Sequence, residues 1–174
     1  MQSLNVRRMV RIGLCAAFLC VCAWIAIPSA VPYTMQSFAV LFAAALLPAY
    51  DGVLCVAVYL LLGSAGLPVF SGMRGGFHVL AGPTGGFLFG FFAAASVLAR
   101  TKPLYRTRLL SRILCMIAAQ SACYLFGVLY FALQSHTTIA AAASVCVLPY
   151  LVPDMVKILL AAILSARLTA AVRI

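Results

Sequence analysis

The chain has 174 residues, of which 66% are hydrophobic and 8% are charged, and its mean hydropathy is +1.17. A water-soluble fold cannot bury so large an apolar fraction, so the composition excludes an ordinary soluble domain. A spanning helix needs about 20 apolar residues, and the length therefore predicts about six spans in a single membrane-embedded domain, residues 1–174. The net charge of +10 would indicate a nucleic-acid partner in a soluble protein, but here the basic residues flank apolar runs, and no nucleic acid is expected.

Three apolar runs occupy the first third of the chain. Span one covers about Val10–Ile27 and ends at Pro28, span two covers Met35–Leu47, and a turn signal at Pro48 precedes span three, Val53–Leu62. The second and third runs are short for a bilayer of about 30 Å, so they are expected to tilt or to be shielded by neighbours. The basic start followed by an apolar run also fits a cleavable secretory signal, although the run is long for a signal core.

The rest of the chain begins with a polar loop. The segment Gly63–Ala81 is rich in Gly, Pro and Ser and is predicted to be a loop that folds back into the protein. The last three predicted spans run from Gly82-Pro83 to Ala99, over Ile113–Leu133 and over Leu148–Leu168, with Gln134–Ala143 connecting the last two. Pro is tolerated at the first position of a helix, which favours a start at Pro83.

Basic residues occur in three clusters, before span one, between spans four and five, and after span six. They are Arg7, Arg8 and Arg11, then Arg100, Lys102, Arg106, Arg108 and Arg112, then Arg167 and Arg173. An even number of spans separates each pair of clusters, so the positive-inside rule can hold for all three at once. The sequence therefore predicts an all-α protein of six transmembrane helices with both termini in the cytoplasm. The expected location is the plasma membrane, which in a bacterium is the inner membrane.

Two charged residues lie inside the sixth apolar run, Asp154 and Lys157. A charge within the bilayer costs about 2.5–3.5 kcal/mol even on lenient scales, which indicates a purpose. At a spacing of three residues they share a helix face and can form a simple salt bridge. They can also form a polar floor for a ligand, because the carboxylate accepts N–H groups and the ammonium donates to oxygen. We favour the ligand-binding interpretation.

The outward-facing segments of this topology carry further polar candidates. Thr34 and Gln36 lie in the first linker and at the start of span two. Arg74 lies among glycines, where the backbone can approach a ligand and a guanidinium can bind a carboxylate with two hydrogen bonds. It is alternatively a solvated loop charge, but its position opposes the positive-inside bias, which favours a functional role.

Small residues recur at helical spacing in two spans. Gly82, Gly86 and Gly90 indicate close helix packing along span four. On span one, two registers of small residues, Gly13 with Ala17 and Ala16 with Cys20, fit either internal packing or docking of another membrane subunit. The sequence alone leaves both the register and the role open.

Motifs for enzyme chemistry and for nucleotide use are absent from the sequence. It contains no Walker A loop, no HExxH, no GxSxG and no paired carboxylates, so neither an enzyme nor a self-powered transporter is expected. The seven cysteines lie mostly in apolar runs without a CxxC pair, so no metal and no cofactor are expected. The alternative function is a stand-alone, proton-coupled secondary transporter of a small carboxylate-bearing solute, with Asp154 as the proton carrier.

Five segments together resemble the BioY family, the biotin-binding membrane subunits of energy-coupling-factor (ECF) transporters. They are Val31-Pro32-Tyr33-Thr34-Met35-Gln36-Ser37, Gly66-Leu67-Pro68-Val69-Phe70-Ser71-Gly72, Gly75-Gly76, Leu80-Ala81-Gly82-Pro83-Thr84-Gly85-Gly86-Phe87, and Pro153-Asp154 with Lys157. The resemblance covers most of the chain. It implies a six-helix substrate-binding subunit that captures biotin at the outer face and delivers it inward with a transmembrane scaffold subunit and two ATPase subunits.

The resemblance also implies roles for individual residues. Biotin has a polar ureido ring and a distant carboxylate, so its site needs apolar walls with polar contacts at two ends. By resemblance, Asp154 and Lys157 contact the ureido ring and Arg74 contacts the carboxylate. The other expected contacts are Thr34 and Gln36 closing over the ligand, Thr84 in the glycine-rich motif, and Tyr33, Phe77 and Tyr150 as walls. The small-residue face of span one would meet the scaffold subunit.

Overall fold

A computed structural model describes residues 6–29, 31–105 and 108–172. The described chain is mostly helical. Its α-helices are α1 Val6–Trp24, α2 Gln36–Leu46, α3 Ala49–Ser64, α4 Phe77–Ala81, α5 Gly85–Thr101, α6 Leu109–Gln134, α7 Ile139–Cys146 and α8 Leu151–Val172. Three 3-10 turns lie at Ser71–Met73, Lys102–Tyr105 and Leu148–Tyr150. Two short antiparallel strands, β1 Ala26–Ile27 and β2 Tyr33–Thr34, pair between α1 and α2.

Three helical stretches of the described chain are long and apolar enough to cross a membrane, namely Gly85–Tyr105, Leu109–Gln134 and Ile139–Ala171. Gln36–Leu46 and Tyr50–Ser64 are apolar but shorter. Many large apolar side chains along the helices are exposed in the isolated chain, among them Leu14, Leu125 and Val156. Such a surface is unsuited to water and suited to lipid, and the molecule is a multi-pass membrane protein.

The helix bounds correct several details of the sequence prediction. The first helix ends at Trp24 rather than Ile27, and the predicted loop Gly63–Ala81 contains the last residues of α3 and the short helix α4. The third helix starts at Ala49 rather than Val53, because Asp51 is favourable in a first helical turn. The predicted connection Gln134–Ala143 contains the start of α7, where the Thr138 side chain accepts a hydrogen bond from the Ala141 amide. Pro83 lies before α5 rather than within its first turn, since the helix begins at Gly85.

Helices α5 and α6 form the most extensive helix pair, and glycines of α5 allow their close approach. A Cβ added at Gly86 would lie 2.3 Å from the Cβ of Tyr130, and one added at Gly90 would lie 2.8 Å from the carbonyl oxygen of Cys123. The predicted packing role is therefore confirmed for these two glycines. Gly82 differs, because it lies before the helix.

Polar contacts join the helices at one end of the molecule, which we call the basic end. Arg8 on α1 forms an ion pair of 2.5 Å with Asp51 at the start of α3. The Lys102 ammonium donates to the carbonyl oxygen of Ala45, 3.1 Å away, at the end of α2. Arg112 on α6 donates to the Ser165 hydroxyl on α8 at 2.9 Å. Two members of the predicted basic clusters, Arg106 and Arg173, lie outside the described residues.

The linkers meet at the opposite end, which we call the linker end. The Trp24 indole donates a hydrogen bond of 2.8 Å to the carbonyl oxygen of Pro68, which joins the end of α1 to the glycine-rich segment. Gln134 at the end of α6 donates to the carbonyl of Ala81. Tyr150 donates to the carbonyl of Val31 in the first linker. The functional cavity lies at this end.

Candidate functional site

The cavity at the linker end is a cleft of about 80 Å³. Its walls come from the first linker, the Ser71–Met73 turn with Arg74, the start of α5, the middle of α6, and the start of α8. Apolar side chains form much of the lining, including Phe70, Phe87 and Phe91. A largely apolar cleft with a few convergent polar groups is the usual form of a small-molecule site.

The buried part of the cavity contains the Asp154–Lys157 ion pair. The two side chains are 2.8 Å apart, and the residues are 6% and 4% exposed. Asp154 also accepts hydrogen bonds from Tyr124 at 2.5 Å and from Gln120 at 3.0 Å, both on α6. The predicted salt bridge is therefore present, and the pair also lines the cavity, as the ligand-binding interpretation requires.

Lys157 connects this ion pair to the first linker. Its ammonium donates to the carbonyl oxygen of Thr34 at 2.7 Å and to the Ser37 hydroxyl at 3.3 Å. It also lies 3.9 Å from the centre of the Tyr33 ring, which gives a favourable cation–π contact in a site shielded from water. One ammonium thus holds the first linker against α8.

A second polar group lies beside the ion pair, at the start of α2. The Thr34 hydroxyl donates to the Gln36 side-chain oxygen at 2.9 Å and accepts from the Gln36 backbone amide at 3.2 Å. The Gln36 side-chain nitrogen donates to the Tyr59 hydroxyl at 2.5 Å, which fixes the orientation of the amide. The amide is therefore held in place before any ligand arrives, an arrangement that reduces the entropy lost on binding.

Tyrosine rings close one side of the cavity. Tyr33 and Tyr150 stack with ring centres 6.0 Å apart and an angle of 19° between their planes. The Tyr150 hydroxyl lies 2.9 Å from the Ser29 hydroxyl and donates to the carbonyl of Val31. This wall is built by the first linker and by the turn that precedes α8.

Arg74 lies at the exposed part of the cavity. Its Nε donates to the carbonyl oxygen of Ser71 at 3.2 Å, and the backbone of Arg74 pairs with that of Phe70. The tight loop between them needs a positive φ of 69° at Gly72, a conformation that glycine adopts without strain. Thr84, the residue before α5, is half-buried and also lines the cavity.

Phe77 does not line the cavity, contrary to the sequence prediction. Its side chain is 71% exposed, because the short helix α4 buries Val79 and Leu80 and so turns Phe77 away from the protein. Gln120 and Tyr124 also contact Asp154, and neither is among the site residues predicted from the sequence. Their signal was a polar pair at a spacing of four residues within a long apolar helix.

The two small-residue registers of α1 differ in exposure. Ala16 and Cys20 are 2% and 9% exposed and belong to the hydrophobic core, so that register packs internally and is not available to a partner. Gly13 and Ala17 are exposed, and a Cβ added at Gly13 would meet nothing within 4 Å. The structure therefore leaves Gly13 and Ala17 accessible on the surface of α1.

No group of three or more His, Cys, Asp or Glu residues that could hold a metal ion occurs in residues 6–29, 31–105 and 108–172. The seven cysteines are all within these ranges, and each is a free thiol.

Known proteins resemble this chain over its full length. The family model described as the BioY family matches residues 1–174. A protein named biotin transporter BioY from Thermotoga maritima is 40% identical over 94% of this chain and 96% of its own length. Another relative, named biotin transporter BioY2, from Lactococcus lactis subsp. cremoris, is 29% identical over 97% of this chain and 93% of its own length.

A solved structure has the same fold. It is described as a crystal structure of the S-component for biotin from an ECF-type ABC transporter, and it superimposes with a TM-score of 0.88 at 20% identity, covering 98% of this chain and 94% of the other. With a family model that matches every residue and a relative 40% identical over nearly the whole length, this chain belongs to the BioY family.

Proposed function

We propose that this protein is the membrane subunit that captures biotin at the outer face and delivers it inward with an energy-coupling module. The observation that carries the proposal is the buried Asp154–Lys157 pair, which opens into an apolar cleft in a chain of the BioY family. The named relatives are biotin transporters rather than enzymes. No cofactor is needed for a binding subunit.

The cavity matches the chemistry of biotin in its distribution of polar groups. The ureido ring offers two N–H donors and one carbonyl acceptor, which suit the Asp154 carboxylate and the Lys157 ammonium at the buried part. Gln36 and Thr34 lie beside them. The valerate carboxylate would reach Arg74 at the exposed part, and the rings of Tyr33 and Tyr150 would cover the apolar body. Thr84 would contact the ligand from the start of α5.

The membrane topology is part of the proposal. Six helices, α1, α2, α3, α5, α6 and α8, would span the bilayer, and α4 and α7 would lie near the outer surface. The basic end would face the cytoplasm together with both termini, as the positive-inside rule requires, and the linker end would face outward. The membrane is the plasma membrane, which is the inner membrane of a Gram-negative bacterium.

The partners are a transmembrane scaffold subunit and two ATPase subunits. The exposed register of α1, Gly13 with Ala17, would be the docking face, and the accessibility of both residues supports this assignment. Small residues on such a face let a partner helix approach closely within lipid. Energy would come from the ATPases, since the sequence has no phosphate-binding loop of its own.

The test has two steps. Equilibrium titration of the purified protein with radiolabelled biotin should show saturable binding at one site per chain. In liposomes, uptake should require the scaffold and ATPase subunits with ATP inside. Uptake by the isolated chain driven by a pH gradient would instead support the proton-coupled secondary transporter, and no binding of biotin would overturn the proposal.

A further inference from the structure

A second cavity lies at the basic end of the molecule. It is formed by the end of α2, the end of α5, the Lys102–Tyr105 turn, the start of α6 and the end of α8, and its volume is about 700 Å³. Three of its lining residues are cations, Arg100, Lys102 and Arg112, and none of the lining residues is acidic. The proposed biotin site does not use this cavity.

Arg112 is the buried cation of this cavity. The residue is only 5% exposed. Its guanidinium donates to the Ser165 hydroxyl at 2.9 Å and lies 5.4 Å from the centre of the Tyr105 ring. Both partners are neutral groups, and within the described parts of the chain no carboxylate contacts this guanidinium. Among the described residues its N–H donors therefore have no anionic partner.

The charge balance of the chain explains why this position is unusual. The sequence contains two acidic side chains, Asp51 and Asp154. Asp51 pairs with Arg8, Asp154 pairs with Lys157, and neither acid lines the second cavity. Taking a guanidinium out of water costs several kcal/mol unless an anion compensates. Within the described residues no acidic side chain supplies that anion to Arg112, so an anion of another molecule can compensate its charge.

Phosphate fits the arrangement of donors. A guanidinium is planar and binds two oxygens of a phosphate at once, and it keeps its charge when buried. Arg100, which is exposed, supplies a second guanidinium at the mouth of the cavity. Lys102 also lines the cavity, and its ammonium donates to the carbonyl of Ala45, which stabilises the C-terminal end of α2.

The surroundings favour a phosphate that is attached to lipid. Leu46, Pro48 and Pro103 contribute apolar surface beside the cations, suited to the glycerol and first methylenes of a phospholipid. Basic pockets between helices at the cytoplasmic membrane edge are known binding places for anionic headgroups. The assignment to the inner leaflet depends on the orientation given under the proposed function, but the binding of phosphate does not.

We propose that the cavity of Arg100, Lys102 and Arg112 binds a phosphate group, and that its source is the headgroup of an anionic phospholipid of the inner leaflet. The bound phosphate neutralises Arg112 and so joins the start of α6 to α8 through Ser165. The chemistry is shared with free inorganic phosphate, and the experiment separates the two sources.

The experiment uses the purified full-length protein in a neutral detergent. Dioleoylphosphatidylglycerol, dioleoylphosphatidylcholine or inorganic phosphate is added at equal concentration, bound lipid is counted by native mass spectrometry, and the melting temperature is recorded. Phosphatidylglycerol should be retained and should raise the melting temperature, whereas phosphatidylcholine should do neither. An equal rise with inorganic phosphate would identify a free phosphate as the source, and this also supports the site.

The variants are Arg112→Gln and the matched control Arg108→Gln. Arg108 precedes α6, is exposed, and does not line the cavity. Arg112→Gln should lower retention of phosphatidylglycerol at least tenfold, and Arg108→Gln should leave it unchanged. Equal retention by Arg112→Gln and the unaltered protein, or equal losses in both variants, would overturn the proposal.

Biotin titration of the same samples separates this inference from the proposed function. Both variants should bind biotin as the unaltered protein does, because Arg112 lies outside that site. If Arg112→Gln does not fold, Arg100→Gln tests the same cavity at its exposed mouth and should weaken retention of phosphatidylglycerol severalfold. Unchanged retention in Arg100→Gln would then count against the site.

Discussion

The ammonium of Lys157 lies 3.9 Å from the centre of the Tyr33 ring, so α8 contacts the second strand of the first linker through a charge. The same ammonium is 2.8 Å from Asp154 and 2.7 Å from the carbonyl oxygen of Thr34. A ligand that enters the cavity meets an acid and a cation already fixed in place. The first prediction therefore separates their role in stability from their role in binding.

Asp154→Asn should destabilise the protein by about 3–5 kcal/mol, because it leaves the Lys157 charge buried without its partner. Asp154→Asn combined with Lys157→Met removes both charges and should recover much of the lost melting temperature. Biotin affinity should remain at least 100-fold weaker in this double variant. Titration and thermal unfolding of the same preparations measure both effects, and tight binding by the double variant would show that the pair is purely structural.

Arg74→Gln tests the proposed contact with the biotin carboxylate. A hydrogen bond to a charged group contributes about 1.5–3 kcal/mol, so affinity for biotin should fall roughly 10-fold to 100-fold. The matched ligand is biotinamide, which keeps the ring system and lacks the carboxylate charge. The affinity of the Arg74→Gln variant for biotinamide should differ little from that of the unaltered protein. An equal loss for both ligands would place Arg74 away from the carboxylate.

Gly90→Ala and Gly13→Ala form a matched pair on two helices. A Cβ at Gly90 would lie 2.8 Å from the carbonyl oxygen of Cys123, so α5 and α6 would have to separate, at a cost of about 1–3 kcal/mol. Biotin affinity should also fall, because Cys123 lines the cavity. A Cβ at Gly13 meets nothing, so that substitution should leave the melting temperature unchanged or raise it slightly. Equal melting temperatures for the two variants would contradict the packing described.

Gly13→Leu tests the exposed face of α1 as the docking surface. The added side chain has space in the isolated chain, so biotin binding should be unchanged. Uptake that depends on the scaffold and ATPases should fall at least tenfold, because a large side chain prevents close approach of a partner helix. Ala140→Leu, at an exposed position of α7, is the control and should retain uptake. Normal uptake by the Gly13→Leu variant would show that the docking surface does not include this face of α1.

The sequence identified the ion pair because charges inside an apolar run are costly and therefore conspicuous. Asp154 and Lys157 needed no tertiary information beyond their helical spacing. Gln120 and Tyr124 were missed, since an amide and a phenol are tolerated in a long helix at lower cost. Their role depends on the packing of α6 against α8, which brings Tyr124 to 2.5 Å from the carboxylate.

Short segments are harder to predict from sequence, because the tertiary packing of a short helix decides which of its side chains face the cavity. Phe77 was expected to face the ligand, but α4 has five residues, and its burial of Val79 and Leu80 determines which way Phe77 points. The helix α7 lies partly in a segment that was predicted to be a connection. Its alanine-rich sequence has high helix propensity, and the Thr138 cap fixes its start.

The uninterrupted helix α8 carries Asp154 and Lys157 near its start, and Ser165 follows eleven residues after Asp154. At 1.5 Å per residue, a helix of 22 residues is a stiff rod of about 33 Å, so a tilt applied at its far half is transmitted to the acid and the ammonium. Because Lys157 also holds Thr34, the same tilt would pull on the first linker. A rigid-body tilt of α8 imposed at the basic end would thereby weaken the hold on a ligand at the other end, whereas the loss of one side-chain contact that leaves α8 in place would not.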